Sequence, residues 1–252
     1  MSDYDETTYG ERIADVYDTL TQIPKDTNEA VGFLAELAGR GRVLELGVGT
    51  GRLALPLRER GVNIEGIDAS PAMVAQLRRK PGGHDIPVTM GNFGDLIVDG
   101  RFSLIFIAFN TLFALLGQDD QLHCFHRVAE HLEPQGAFVV EAFVPDLTRF
   151  DRGQRVQTTD VDIEAVRIDA SLHDPVKQRI VAQHMVFTED GIRFYPVQLR
   201  YCWPAELDLM ARLAGLRLKH RWGGWLKEPF TAASGQHVSV YRPAAEPPPD
   251  DH

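Results

Sequence analysis

Cysteine is nearly absent from this chain. Only Cys124 and Cys202 occur in 252 residues, without metal-ligand spacing, so neither a disulfide framework nor a cysteine-based metal site is indicated. No apolar run approaches the roughly 20 residues that span a bilayer. The N-terminus is acidic and has no basic segment ahead of an apolar one, so it does not read as a secretory signal. Dense basic clusters are missing too: Arg78-Arg79-Lys80 is short and reads as solvated helix surface. Twenty-six Lys and Arg against 36 Asp and Glu leave a net charge of −10, which repels phosphate backbones. His123, His126 and His131 share one predicted helix with no third ligand in register, so they read as surface or packing histidines and no metal is expected. These absences leave a soluble, cytoplasmic protein without nucleic-acid or membrane partners as the expectation.

What the chain does have is core-forming material. Hydrophobic residues make up 44% of it, enough for one large α/β domain with a small appended element. Residues 42–51 read as a short apolar strand running into Gly47-Val48-Gly49-Thr50-Gly51 and then into a helix near Arg52. Such a corner is where open α/β sheets bind ligands. A dinucleotide fingerprint would need its third glycine where Arg52 stands, and a Walker loop would need a Gly-Lys-Ser/Thr that does not follow. A second strand over 62–67 leads to Asp68, at a carboxyl end where its carboxylate can accept two hydrogen bonds from a ribose diol. The competing reading, a helix cap, suits Ser70 better, with Pro71 at the first helical position.

The segment 44–51 followed by Asp68 resembles the opening motifs of the class I S-adenosylmethionine-dependent methyltransferases. Two further stretches extend the likeness. Gly91-Asn92-Phe93-Gly94-Asp95-Leu96 is similar to the family's third motif, with Asn92 where Asp is common. Leu132-Glu133-Pro134-Gln135-Gly136, leading into a strand over 137–140, is similar to the fourth. The resemblance implies a Rossmann-like α/β fold: a seven-stranded, mostly parallel sheet with helices on both faces. It implies S-adenosyl-L-methionine as cofactor and methyl transfer to an N or O atom of a small-molecule acceptor. The alternative is a noncatalytic protein that binds the same cofactor or a partner. A monomer or homodimer is expected. The family pattern assigns Tyr17, Glu45, Gly47, Gly49, Gly51, Asp68, Ala69, Met73, Asn92, Phe93 and Phe109 to the cofactor. Tyr9, Asn110, Glu141 and His184 are the catalytic candidates. The antibiotic-sugar N,N-dimethyltransferases look similar at the N-terminus, where they carry a Tyr at the position of Tyr9. They also carry a His where this chain has Ala114, which removes the obvious base and puts an aminosugar acceptor in doubt.

Along the chain, residues 1–8 read as disordered, and 11–22 as one helix broken by Ile23-Pro24. The expected divisions are a helical lid over 1–40, a cofactor-binding core over 41–144, a substrate cap over 145–203, a return to the core sheet over 204–242 and a disordered tail over 243–252. Asp119 or Asp120 is expected to cap the helix that follows. Within the cap, alternation over 163–170, 179–187 and 192–201 predicts three antiparallel strands. Arg167, His184, Tyr195, Arg200 and Tyr201 are candidate substrate contacts there, with the inward face undetermined by parity. Trp222, Trp225 and Phe230 crowd a late loop and read equally as a pocket wall or an interface patch.

Overall fold

The computed structural model describes residues 4–20 and 26–244. Its frame is a seven-stranded sheet built from β1 (Arg42–Leu46), β2 (Asn63–Asp68), β3 (Val88–Met90), β4 (Phe102–Ile107), β5 (Leu132–Phe143), β10 (Leu216–Trp222) and β11 (Gln236–Pro243). The spatial order is β10-β11-β5-β4-β1-β2-β3. The central neighbours pair in parallel, and only β11 runs against both of its neighbours. β1 and β4 are buried along nearly their whole length, the pattern of strands covered on both faces.

Helices supply that cover. On one face α3 (Thr27–Ala38), α4 (Ala54–Glu59) and α5 (Pro71–Arg79) pack Ala30, Val31, Leu34, Leu57 and Leu77 against Val43, Ile64, Leu104 and Phe106. On the other, α6 (Gln118–His131) and α7 (Pro204–Leu213) bring Phe125, Val128, Leu207 and Met210 against Leu44, Ile105, Ile107 and Phe138. α5 starts as its residues dictate: the Ser70 hydroxyl accepts the Met73 N–H, and Pro71 opens the helix. At α6 the cap differs from expectation. Gly117 is the N-cap, and Asp120 reaches back to accept the Gly117 N–H at 3.0 Å, a role suited to the third position of a helix.

The second sheet has one strand more than the alternation showed. β6 (Gln154–Val161), β7 (Ala165–Asp174), β8 (Arg179–Thr188) and β9 (Gly191–Arg200) form a four-stranded antiparallel meander in that order. β6 escapes a period-two reading because its Gln157-Thr158-Thr159-Asp160 stretch is polar throughout, and its ladder with β7 carries a register shift at Thr158/Asp160.

The N-terminal region also departs from expectation. The helix read over 11–22 is two short ones, α1 (Thr8–Ile13) and α2 (Tyr17–Leu20), and the break at Ile23-Pro24 lies outside the described residues. Residues 4–8 are placed, not disordered: the Asp5 carboxylate accepts the Thr7 and Thr8 N–H groups, and the Tyr4 hydroxyl accepts the Gln198 N–H at 3.2 Å. Splitting the helix lets α2 turn toward the glycine loop. There Asp18 accepts the Thr50 hydroxyl and pairs with Lys80, both at 2.6 Å. α1 lies so close to the start of α5 that a Cβ on Gly10 would sit 2.5 Å from that of Ser70. Pro243, expected in the tail, closes β11; residues 245–252 lie outside the described residues.

Candidate active site

The carboxyl ends of β1, β2 and β4 converge on a cavity of about 610 Å³, roofed by α1 and the β8–β9 face of the antiparallel sheet. β1 delivers Gly47 and Gly49. The Gly47 and Val48 N–H groups are both spent on the Ile67 carbonyl, which folds the loop tightly against β2. Gly47 has φ +75°, and a Cβ there would lie 2.6 Å from the Thr111 methyl, so only glycine fits this turn.

Asp68 ends β2 facing the same space. Its carboxylate accepts the Gly49 N–H at 2.7 Å and the Ser70 N–H at 2.9 Å. Together with the Ala69 N–H, which also bears on the carboxylate, these donors hold its orientation. Burial raises its pKa and the backbone donors oppose the rise. Next along the wall, Asn92 Oδ1 accepts the Gly94 N–H at 2.8 Å, holding Phe93 at the cavity edge in a local turn.

The corner after β4 is strained. Phe109 and Asn110 have φ +57° and +64°, a left-handed pair without glycine. Three bonds from the end of β5 hold it. Glu141 accepts the Phe109 N–H at 2.8 Å through its carboxylate and the Asn110 N–H at 3.3 Å through its carbonyl, and Asn110 Oδ1 accepts the Phe143 N–H at 2.6 Å. The Arg52 guanidinium lies over the Phe109 ring, 5.1 Å from its centre. Asn110 lines the cavity with its side-chain oxygen engaged by the Phe143 N–H.

Of the expected site residues, Tyr9, Tyr17, Gly47, Gly49, Asp68, Ala69, Met73, Asn92, Phe93, Phe109, Asn110 and His184 line this one cavity. Glu45, Gly51 and Glu141 do not. Gly51 packs behind the loop, where a Cβ would meet Leu77. Glu45 is buried, with its pKa raised to about 8 chiefly by desolvation, and its Oε2 has no partner among the described residues. Glu141 is tied to the corner and to the Trp225 side chain and lies outside the residues that line the cavity. Burial, with the neighbouring Tyr17, pushes the Tyr9 phenol far upward, so it stays protonated.

His184 is differently placed. Its Nδ1 contacts Asp169 Oδ1 at 2.6 Å, directly across the β7–β8 ladder. That leaves Nε2 as the nitrogen for the cavity. Ala114 lines the same cavity. The other cap candidates divide. Arg167 faces a side chamber. Arg200 is buried in an ion pair with Glu206 and bonds Gln121 and Gln178. Tyr195 packs with Ile13 and Met73, and Tyr201 is core. Trp225 is neither pocket wall nor surface patch, because it is buried edge-on against Phe33.

Sequence reading missed Tyr4, Asp5 and Glu6, which line the cavity from the segment expected to be disordered. The available signal was Asp5 ahead of Thr7 and Thr8, a turn-forming arrangement. Asp95, Asp120 and His123 also line the cavity. Among the described lining residues there are five carboxylates (Asp5, Glu6, Asp68, Asp95 and Asp120) and no lysine or arginine.

Residues 43–136 match the model of a family described as a methyltransferase domain. The structure of the CcbJ methyltransferase from Streptomyces caelestis is 47% identical, covering 96% of this chain and 100% of that one, with a TM-score of 0.91. A curated relative, the cypemycin N-terminal methyltransferase of a Streptomyces species, is 28% identical over 94% of this chain and 98% of its own length. The dTDP-3-amino-3,6-dideoxy-alpha-D-glucopyranose N,N-dimethyltransferase of Streptomyces fradiae is 30% identical over 53% of this chain and 54% of its own.

Proposed function

The chain belongs to the class I S-adenosylmethionine-dependent methyltransferases, and from that premise we propose that it methylates an amine nitrogen of a small metabolite. The observation that carries the amine is the cavity wall of five carboxylates without a lysine or arginine. A concave site lined by one sign of charge concentrates ligands of the opposite sign. An ammonium-bearing acceptor is favoured there, and an anionic one is repelled. The two curated relatives act by their names on an N-terminal amine and a sugar amine, which supports the same reading.

The residues fit the cofactor. Asp68 suits the ribose hydroxyls; Gly47 and Gly49 let the backbone come close; Phe93 offers a face for the adenine. The acidic wall suits the cofactor's ammonium and sulfonium charges. When bound, the cofactor supplies an electrophilic methyl on a sulfonium that leaves as a neutral thioether.

The protein's part is alignment, exclusion of water and removal of one proton. The Phe109–Asn110 corner and the Tyr9 phenol position the reacting groups. An acceptor arriving as an ammonium ion gives a proton to His184 Nε2. Asp169 holds the imidazole in the tautomer whose Nε2 is unprotonated and stabilises the imidazolium that results. Leu115, Leu116, Val197 and Leu199 supply the apolar remainder of the wall. His184 thus does from the cap what the absent His at Ala114 would have done from the core.

The test is calorimetric titration with S-adenosylmethionine, S-adenosylhomocysteine and NADH, followed by mass spectrometry of amines, phenols and carboxylic acids incubated with enzyme and cofactor. Binding of both sulfur nucleotides without NADH, and methylation confined to amines, is expected. Methylation of phenols or carboxylic acids but not amines would overturn the amine assignment.

A further inference from the structure

The cap sheet is built inside out. Its inner face, toward the body of the protein, carries Arg167, Asp169, His184 and Arg193, beside Tyr195 and Leu199, which pack on the hydrophobic clusters below. Its outer face is apolar. The strand register sets Val156, Ile168, Leu172, Val181, Ile192 and Phe194 there, on the opposite side from His184. All but Ile168 are exposed, at 44% (Val181) to 72% (Val156). Among the described residues none of the six packs into a hydrophobic cluster. Over 166–172, 181–187 and 192–198 the alternate residues that point this way carry no charge. An antiparallel sheet with one face in water is ordinarily polar on that face. A contiguous apolar patch left there marks an interaction surface.

We propose that a second copy of this chain covers the outer face, the two cap sheets packing face to face about a two-fold axis that runs across the strands. Size fits such a partner. Strands of 8, 10, 10 and 10 residues, at about 3.3 Å per residue and about 4.8 Å apart, make a face of roughly 600 Å² before side-chain relief is counted. A stable interface takes about 800 Å² from each partner. Charge fits too. Each chain carries a net charge of −10, so two copies repel unless they meet where charge is missing. A two-fold brings the same patch of both chains together, and an uncharged apolar patch meets its copy without like-charge contacts. The ends of the sheet set the axis. The turns at one end hold Asp162, Glu164, Glu189 and Asp190 and no base. The other end holds Arg152 and Lys177 beside Asp151 and Asp174. An axis along the strands would stack the four carboxylates on their copies. An axis across the strands lays them over the end of mixed sign. The sheet that carries His184 is then held between its own body and the second copy, whatever acceptor the site takes.

The test is sedimentation of the full chain across micromolar concentrations. The wild type should run as a dimer, twice the chain mass of 28.2 kDa, or as an assembly of such dimers. Val181→Asp and Phe194→Asp each set a carboxylate against its own copy. Either should halve the mass and raise the dissociation constant at least about 100-fold, while thermal denaturation still shows a cooperative fold. Leu226→Asp alters a residue that is also exposed but lies outside the cap sheet, and it should leave the mass unchanged. Lys177→Cys and Glu189→Cys chains, mixed and treated with a bis-maleimide that spans about 10 Å, should cross-link to each other, because packed sheets lie that far apart. The native Cys124 and Cys202 are buried and stay out of this reaction. A wild type that is monomeric throughout, or a mass that folded Val181→Asp and Phe194→Asp proteins both retain, overturns the interface. Cross-links confined to Lys177→Cys with itself and Glu189→Cys with itself overturn the axis across the strands.

Discussion

Replacing Glu141 by alanine separates a brace from a base. The carboxylate accepts the Phe109 N–H at 2.8 Å and a hydrogen bond from Trp225. Alanine orphans a buried backbone donor, at a cost of about 1–3 kcal/mol. It also releases a corner of two non-glycine residues at positive φ, each holding about 1–3 kcal/mol of strain. Relaxation of that strain shifts Phe109 and Asn110, which line the cavity. A net loss of about 3 kcal/mol lowers Tm by roughly 6 to 12 °C in a chain of this size. If half of that loss is felt in the cofactor site, affinity for S-adenosylhomocysteine falls about tenfold. Glu141→Gln keeps an oxygen for the Phe109 N–H and removes a charge that burial disfavours. It should hold Tm and affinity close to wild type. The assays are thermal denaturation and calorimetric titration on the same preparations. A folded Glu141→Ala protein with unchanged affinity would refute the bracing role. A Glu141→Gln protein that binds cofactor normally yet has lost all turnover would restore Glu141 as a base.

Three other outcomes follow from the geometry. Asp68→Ala should weaken S-adenosylmethionine binding by about 100-fold, the scale of two charge-assisted hydrogen bonds to a diol, while the protein stays folded; affinity within threefold of wild type would remove Asp68 from the ribose site. Asp169→Asn should lower kcat by about 10²-fold on whichever amine is methylated, with KM for the cofactor unchanged, because the amide no longer dictates which imidazole nitrogen is bare; an unchanged kcat would mean that the proton leaves without His184. Glu45, ordinarily near pH 4.5 and raised to about 8 in the fold, binds more protons folded than unfolded across that interval, so its contribution to stability declines as pH rises from 4.5 to 8. Glu45→Gln should therefore gain stability relative to wild type over that range in cofactor-free protein, measured by urea denaturation at several pH values; a pH-independent difference would contradict the rise that burial imposes on this carboxylate.

Much of the cofactor half was legible in the sequence, because its chemistry is carried by short segments. A strand, a turn that admits only glycine and an acid at the end of the next strand lie within residues 42–68, and local sterics dictate their shape. The order of elements and the burial of β4 followed from an apolar run that suits only a strand covered on both faces. The acceptor half was not legible in the same way. A β-strand alternates with period two, so 163–201 announced strands but not which face looks inward; one residue of slip exchanges the faces. The β7–β8 register sets Asp169 opposite His184 and thereby makes the dyad. Tertiary packing likewise decided that Glu141 braces the corner, since its partner Phe109 lies 32 residues away. The same holds for Trp225, drawn from a loop into the core against Phe33, and for Tyr4 to Glu6, held over the cavity by distant partners such as Gln198. Residue type and spacing within one turn or strand pointed to the cavity proposed for the cofactor. Long-range register and packing, which no local pattern encodes, decided what faces the acceptor.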